Sequence, residues 1–357
     1  MILHLIPDEK VTLSFIERMD SVFGLDNQFF WIYRVKPNAE RKYYSYMKNS
    51  HVIISNIKDD NSEQFIRFAC KHEKVIVHSL PDDINIVNCL LLIKQRNQEI
   101  ILIWGIWGGD LYNVYDFAHS IKVIKRPDYI KLEYLRKKLI SKIDFVMSGC
   151  DYEELKKRYK TNAKQLIGTY SHKCIEIEPR HEDEKRNVLV GHSATKTCRH
   201  IEMMKTLLKY KGSIRVFCPL SYPNNPKYIK KVIRVGMKLF GEDFVPTTDF
   251  IPFDEYVKYL NDIDIGVFNN SKQQGFGNII NLLGLGKKIY ISKDNNLRFS
   301  FPKGEYYIFD YDELDSDFLK LLTHEEAASN VRKIHYRMSD DFFKERWRTI
   351  FNAVLEK

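Results

Sequence analysis

The chain has 357 residues, a length typical of two domains, and its 44% hydrophobic and 29% charged residues with 13% aromatics exclude disordered, collagen-like and coiled-coil proteins. No apolar run approaches the ~20 residues that span a bilayer, and the first residues lack the basic region of a signal peptide. The six cysteines are scattered and form no Cys-x-x-Cys pair, which argues against structural zinc or a disulfide framework. We therefore expect a soluble intracellular protein, whose net charge of +9 is compatible with nucleic acid, an anionic membrane or phosphorylated substrates.

Short apolar runs rich in β-branched residues alternate with helical patterns along the chain. We predict eight buried strands, namely Ile2–Ile6, Lys74–His78, Glu99–Trp104, Asp144–Ser148, Asn187–Gly191, Ser213–Cys218, Asp264–Phe268 and Lys288–Ser292. Continuous apolar strands separated by amphipathic helices indicate parallel sheets covered on both faces. A helix is predicted from Pro226 to Phe240, with Asn225 as its cap and Gly241 at its end, and another from Asp340 to Glu356.

The polar segment 171–186 contains Pro179 and precedes a fresh strand, which predicts a linker between two doubly wound α/β lobes. We assign 1–175 to a Rossmann-like N-terminal domain, 186–335 to a Rossmann-like C-terminal domain, and 336–357 to a helix packing back toward the first domain. Such lobes hold their ligand in a central cleft, at the carboxyl ends of the strands.

The loop 272–278 is the first candidate site, since it follows one predicted strand and precedes a predicted helix, Ile279–Leu285. Gly275 and Gly277 allow backbone amides to approach a ligand, the helix N-terminus adds a partial positive charge, and Lys272 adds a full one. A diphosphate fits this arrangement, and the two glutamines can bond a sugar or base. An ordinary glycine-rich strand–helix turn explains the same residues.

Two further loops follow strands of the second lobe. Residues 191–200 concentrate hydroxyls, two histidines and Lys196 where phosphates bind in such folds, although a helix start capped by Ser193 or Thr197 is an equal alternative. Residues 219–225 offer Tyr222 to a base or sugar, and a simple turn is sufficient there too.

In the first lobe, the loop 104–112 carries two tryptophans, three glycines and Asp110. Indole faces suit sugar rings and Asp110 suits a general base, but Asp110 can equally cap the next helix. His78 ends a strand, where a histidine is more often structural than catalytic, and Asp8 or Glu9 after the first strand are further candidate bases.

Residues 120–142 carry eight Lys or Arg residues interleaved with apolar ones. Such a basic amphipathic stretch can dock on anionic lipid, although it is also typical of the solvated face of a helix.

Taken together, these loops resemble those of glycosyltransferase family 56. The resemblance rests on four ordered motifs: Trp-x-x-Trp-Gly-x-Asp-Leu-Tyr at 104–112, Val-Leu-Val-Gly-x-Ser at 188–193 with His200 downstream, Pro-x-x-Tyr-Pro at 219–223, and Gln-Gln-Gly-x-Gly at 273–277. It spans about residues 70–300.

The resemblance implies a GT-B fold and transfer of a sugar, such as the N-acetylated amino-deoxyhexose Fuc4NAc, from a dTDP-sugar to an undecaprenyl-diphosphate-linked oligosaccharide in bacterial surface polysaccharide synthesis. It implies a peripheral enzyme at the cytoplasmic face of the inner membrane, facing it through 120–142, with no cofactor, metal or nucleic acid. Candidate catalytic residues are Asp110 and His78, and candidate acceptor-binding residues are Trp104, Trp107 and Tyr112. Candidate donor-binding residues are Gly191, Ser193, Lys196, His200, Tyr222, Lys272, Gln273, Gln274, Gly275, Phe276, Gly277 and Asn278.

The chain departs from the family pattern at His192, usually asparagine, at Thr195-Lys196, usually Asp-Arg, and at Lys272, usually arginine. Many retaining GT-B enzymes carry two glutamates at positions that are Gln274 and Leu282 here, so their catalytic carboxylates are not carried over. The alternatives are a GT-B-fold sugar-nucleotide epimerase and a basic nucleic-acid-binding protein. Neither lobe has the glycine fingerprint of a nicotinamide-dependent oxidoreductase.

Overall fold

The computed structural model describes residues 1–170, 184–314 and 317–354. It contains two compact units, the first formed by Met1–Ser171 with Asp340–Lys357 and the second by His172–Ser339. Most of the predicted linker at 171–186 lies outside the described residues, which resume at residue 184.

The first unit is a seven-stranded parallel sheet with the strand order β3-β2-β1-β4-β5-β6-β7. Its strands are β1 Ile2–Pro7, β2 Gln28–Tyr33, β3 Val52–Ile54, β4 Lys74–His78, β5 Ile101–Gly105, β6 Phe145–Met147 and β7 Lys164–Leu166. Its helices are α1 Thr12–Phe23, α2 Ala39–Lys42, α3 Ser62–Ala69, α4 Ile84–Arg96, α5 Gly109–Ala118, α6 Asp128–Ile140 and α7 Tyr152–Arg158. A 3₁₀ helix, Ile121–Lys125, joins α5 to α6.

The second unit is a six-stranded parallel sheet with the strand order β10-β9-β8-β11-β12-β13. Its strands are β8 Arg186–Val190, β9 Ile214–Pro219, β10 Phe244–Thr247, β11 Ile265–Phe268, β12 Lys288–Ile291 and β13 Phe309–Asp310. Its helices are α8 His200–Leu207, α9 Pro226–Phe240, α10 Phe253–Asn261, α11 Phe276–Gly284 and α12 His324–Met338. The last helix of the chain, α13 Asp340–Phe351, belongs to the first unit.

Burial of the apolar faces of strands and helices stabilises each unit. The strands of the first sheet are buried between two hydrophobic clusters, one on each face. Helix α13 completes one of them, because its fully buried Trp347 lies 5.1 Å from the ring of Phe15 in α1 and donates its indole N–H to the Thr169 carbonyl. In the second unit α9 begins and ends as its sequence predicts, with the Asn225 side chain accepting from the Tyr228 amide and Gly241 at φ +61°.

The predicted doubly wound α/β class is confirmed, and all eight predicted strands exist with ends that agree within two residues. In each sheet the chain order reverses once, between β1 and β4 in the first unit and between β8 and β11 in the second. Ligands of open α/β sheets bind outside the carboxyl ends of the strands at such a switch point. Within the described residues, no helix is long and apolar enough to cross a membrane.

Candidate active site

The loop between β11 and α11 starts a helix at the switch point of the second unit. Gly275 has φ +90° and precedes α11 directly, a conformation that side-chain-bearing residues rarely adopt. A Cβ at Gly277 would meet nothing within 4 Å, so the first turn of α11 faces open space. A helix start with accessible amides attracts anions, because its unpaired N–H groups carry partial positive charge.

This loop is tied to the loop that follows β8. The Ser271 amide donates to the Thr197 carbonyl at 3.1 Å, and the Thr197 hydroxyl donates to Oε1 of Gln274 at 2.6 Å. The Asn295 side chain in turn donates to the Gln274 carbonyl at 3.1 Å. Gln274, predicted to bond a sugar or base, therefore already uses its side-chain oxygen to hold the two loops together.

His200 needs a correction as a donor-binding residue. It is fully buried, its Nδ1 lies 3.0 Å from the Tyr228 hydroxyl, and burial lowers its pKa to about 3. Gly191 has φ +73°, and a Cβ there would lie 2.6 Å from Nε2 of His200. Gly191 and His200 therefore pack against each other where α8 begins beneath the loop 191–200. Ser193 is also buried, and its hydroxyl lies 3.0 Å from Nε2 of His192.

Among the other predicted donor-binding residues, Lys196 and Tyr222 are exposed. Lys196 lines a pocket of about 530 Å³ between the starts of α8 and α9, together with Arg199, Lys227 and Lys231. The remaining members of the set, all half-buried, are Lys272, Gln273, Phe276 and Asn278. Phe276 stacks on Phe301, and Asn278 donates to the Tyr256 hydroxyl at 2.8 Å.

The switch point of the first unit carries a pocket of about 440 Å³. Its charged lining residues are Glu9, Lys10, Arg34, Asp82 and Asp110, and Ser79 and Trp107 lie among them. Arg34 and Ser79 have φ values of +54° and +64°, which cost free energy for residues other than glycine and cluster at functional sites. Lys10, Arg34 and Ser79 were not predicted from the sequence, because backbone strain at a strand end has no signature there.

The Asp110 carboxylate joins the loop after β4 to the end of β5 and the loop that follows it. Its Oδ2 accepts hydrogen bonds from the Leu80 amide at 2.8 Å and the Trp104 indole at 2.7 Å, and its Oδ1 accepts from the Trp107 amide at 3.0 Å. Burial raises the pKa of this carboxyl, and these hydrogen bonds oppose the rise. Both oxygens are engaged, so the structure favours the structural alternative over the predicted general base.

Two predicted acceptor-binding aromatics are also corrected. Trp104 is fully buried, and Tyr112 is 5% exposed and donates its hydroxyl to Asp151 at 2.7 Å. Neither ring presents a face to a sugar. Trp107 alone of the three predicted aromatics lines the pocket, with its ring edge-on to Tyr170 at 5.5 Å.

His78 lies inside the sheet, not at its surface. It is fully buried in a chain of hydrogen bonds in which Gln28 contacts His4 at 2.7 Å, His4 contacts His78 at 2.9 Å, and His78 contacts the Tyr170 hydroxyl at 2.9 Å. Burial lowers the pKa of His78 well below its ordinary value. The structure therefore favours the structural alternative for His78 over direct action on substrate, because the side chain is fully buried and both ring nitrogens have partners.

Comparison with known proteins decides the family. A family model described as 4-alpha-L-fucosyltransferase glycosyl transferase group 56 matches residues 20–356. The chain belongs to glycosyltransferase family 56. The family 56 chain is therefore a glycosyltransferase, in enzyme class EC 2.4.

Solved structures show the GT-B fold of the family 56 chain. Anabaena HepE in complex with UDP matches with a TM-score of 0.68 at 9% identity, covering 98% of this chain and 99% of that one. A glycosyltransferase from Rickettsia africae matches with a TM-score of 0.68 at 10% identity, covering 100% and 98%. The lipopolysaccharide outer core galactosyltransferase WaaB matches with a TM-score of 0.61 at 11% identity, covering 98% and 99%.

Two carboxylates at the pocket of the first unit, Glu9 and Asp82, have only one oxygen in an ion pair, and Asp82 pairs with Arg34 of the same pocket. Asp8 is buried and saturated, since it accepts from Lys42, the Tyr43 hydroxyl and the Lys36 amide, and these bonds outweigh burial and lower its pKa. Glu9 lines the pocket, and among the described residues only Lys36 contacts its carboxylate, at 3.1 Å on Oε2. Its Oε1 faces no donor in that part of the chain.

Proposed function

We propose that this enzyme transfers an N-acetylated amino-deoxyhexose such as Fuc4NAc from a dTDP-sugar to an oligosaccharide on undecaprenyl diphosphate. The observation that carries the donor half is the start of α11, where Gly275 opens a helix whose first turn faces open space at the switch point. The family description supports the fucose-type sugar, and the HepE complex supports a nucleoside diphosphate in this fold.

On the donor side, the leaving group is a nucleoside diphosphate that gains negative charge as the glycosidic bond breaks. The amides of Gly275 and Gly277 and the N-terminus of α11 supply oriented partial positive charge at this switch point, and Lys272 supplies a full charge beside them. Donors placed before the reaction stabilise developing charge without having to reorganise.

Calorimetric titration with dTDP, UDP, GDP and ADP without added metal tests the donor half. We expect dTDP to bind most tightly and Lys272→Ala to weaken it by at least about tenfold, the value of one charge-assisted contact. Lys238→Ala, an exposed lysine of α9, is the matched control and should bind as wild type does. Binding of none of the four nucleotides would overturn the proposal.

On the acceptor side, we propose Glu9 as the general base in place of Asp110. The Glu9 oxygen that receives no hydrogen bond can take the proton from a hydroxyl group of the acceptor sugar. The oxygen of that hydroxyl then bonds to the anomeric carbon of the transferred sugar, while the bond from that carbon to the diphosphate breaks. Lys10 and Arg34 line the same pocket and offer positive charge to the acceptor's own diphosphate.

Replacement of Glu9 tests this assignment. Glu9→Gln keeps the shape of the side chain and removes its basicity, so we expect kcat to fall about 10²- to 10⁴-fold while dTDP affinity stays unchanged. Glu17→Gln, on the exposed face of α1, is the control. A kcat within a few-fold of wild type for Glu9→Gln would show that the base lies elsewhere.

We propose only one part of the segment 120–142 as a membrane-binding surface, the 3₁₀ helix Ile121–Lys125. Ile121 and Ile124 of the 3₁₀ helix are 85% and 78% exposed, with Lys122 and Lys125 beside them. Arg136, counted among the predicted basic residues, is instead fully buried and bonds the carbonyls of Leu80, Pro81 and Asp110. Apolar tips surrounded by lysines suit the boundary of an anionic bilayer, at about 1 kcal/mol per basic residue.

Co-sedimentation with vesicles tests this surface. Wild type should bind vesicles that contain phosphatidylglycerol but should not bind vesicles made only of phosphatidylcholine. The double variant Ile121→Asp with Ile124→Asp should not bind either kind of vesicle. Met237→Asp, which alters an exposed apolar residue of α9, is the control. Equal binding by wild type and the double variant would refute the membrane role of these isoleucines.

A further inference from the structure

A buried cysteine lies where the two donor loops meet. Cys198 and Asn270 are fully buried and His192 is 9% exposed. We call these three residues with Thr195 the Cys198 cluster. Three of its members come from the loop after β8 and Asn270 comes from the loop after β11, so the cluster spans the switch point of the second unit.

The Cys198 sulfur has hydrogen-bonding neighbours from both donor loops. Around the Cys198 Sγ lie the Thr195 hydroxyl at 3.1 Å, His192 Nδ1 at 3.4 Å and Asn270 Nδ2 at 3.4 Å. A thiol donates one hydrogen bond, whereas a thiolate accepts from all three of these groups at once. A thiol that donates to His192 Nδ1 and accepts from the other two groups fits the same distances, and His192 itself lies 3.3 Å from Asn270 Nδ2 through Nδ1 and 3.0 Å from the Ser193 hydroxyl through Nε2.

The balance of charges agrees with this geometry. Burial raises the pKa of Cys198, but the hydrogen bond and positive charge of His192 outweigh it and lower the pKa to about 6. The other titratable groups around the cluster are held uncharged at neutral pH, since burial lowers the pKa of His200 and raises those of Tyr222, Tyr228 and Cys218. Of the two nearby cations, Arg199 pairs with Asp294, and Lys196 lines the pocket between α8 and α9.

We propose that Cys198 is a positioning residue, whose sulfur contacts groups of both donor loops, joins these loops and so sets the affinity for the nucleoside diphosphate. This inference rests on the proposed function, since it assigns these loops to the donor. Thr197, next to Cys198, holds Gln274, and Gln274 precedes the glycine that opens α11. Loss of the sulfur frees Asn270 and Thr195 and lets the α11 loop move away from the β8 loop.

The experiment compares Cys198→Ala with wild type and with Cys218→Ala, which replaces a buried cysteine of β9 whose pKa is raised by burial and by the nearby Cys198. Wild type should show a thiolate absorbance step with a midpoint near pH 6 that Cys198→Ala lacks and Cys218→Ala keeps. At pH 7.5 dTDP affinity should fall at least about tenfold in Cys198→Ala, and the donor KM should change more than kcat. Wild-type affinity should also decrease from about pH 7 to pH 5 more steeply than that of Cys198→Ala, in which the pH dependence of the ligand's own phosphate remains.

His192→Asn provides a second variant, which replaces the imidazole by a smaller amide that still offers N–H donors to the sulfur but cannot become a cation. It should move the absorbance step upward by more than one pH unit, a change that a purely structural role of His192 would not produce. A wild type without the step, or a folded Cys198→Ala that binds dTDP as wild type does, would overturn the inference and leave the proposed function standing. Failure of wild type to bind any of the four nucleotides would overturn both.

Discussion

Replacement of Asp110 by asparagine separates a structural carboxylate from a catalytic one. Asparagine has one acceptor oxygen, which can retain the Leu80 amide and the Trp104 indole on the Oδ2 side. Its amide group then faces the Trp107 N–H, which donates to Oδ1 at 3.0 Å in wild type, so one bond to a charged acceptor is lost at a cost of about 1.5–3 kcal/mol.

The two retained bonds also weaken because their acceptor becomes neutral, while the lower cost of burying an amide offsets part of this loss. The net destabilisation is about 2–3 kcal/mol, or a decrease in Tm of roughly 4–12 °C for a unit of this size. Thermal unfolding followed by circular dichroism measures it, with kcat determined on the same preparations.

Asp82→Asn is the matched control, because Asp82 lines the same pocket but its half-exposed ion pair with Arg34 contributes only about 0–1 kcal/mol. A large decrease in Tm with a modest decrease in kcat supports the structural role of Asp110. An unchanged Tm with kcat reduced more than about 100-fold would refute this reasoning and restore Asp110 as the base.

Three further predictions concern the stability of the two units. Trp347→Ala should cost about 3–5 kcal/mol in thermal unfolding, because it empties a fully buried site between α13 and α1, whereas Tyr336→Ala, on an exposed side chain, should cost little. Burial lowers the pKa of His4 to about 4 and that of His78 further. Below about pH 6.5 the unfolded chain therefore binds more protons than the folded chain. The free energy of unfolding, measured in urea, should fall from pH 7 to pH 5 by up to ~1.4 kcal/mol per pH unit for each of the two histidines. A free energy of unfolding that does not change over this range would contradict the neutral state of His4 and His78 in the folded protein. Asn225→Ala should cost about 1 kcal/mol through loss of the α9 cap, and Asn225→Ser should recover most of it.

The sheets were predictable where burial leaves a mark on the sequence. Strands at the centre of each sheet are continuous apolar runs, and β1, β4, β8 and β11 were found this way, but the buried interior strand β2 is such a run too and was missed. The missed strands include β7, whose three residues are mostly exposed, and β13, which has two residues. Such short edge strands have no apolar pattern of their own, because the register with a neighbour defines them.

The site was predictable as a set of loops but not as a set of contacts. Loop 104–112 and loop 191–200 do follow central strands, as the sequence indicates. Which side chains turn inward depends on partners distant in the chain, such as Leu80 for Asp110 and Tyr228 for His200. Cys198 was missed for the same reason, although the unusual His192 and Thr195 beside it were a signal that a different group fills this position.

Both switch points are built on the same physical plan. A layer of polar side chains lies just beneath the surface and joins neighbouring loops, through Asp110 in the first unit and through Cys198 with Asn270 in the second. Most groups in these layers already have partners, so the layers position loops precisely and leave little hydrogen-bonding capacity for a substrate, Asn270 Oδ1 being one buried atom without a partner. The groups that we propose to meet substrate, Glu9 and Lys272, lie outside these layers. A residue that resembles a catalytic group in the sequence is for this reason more often found in the supporting layer than in contact with the substrate.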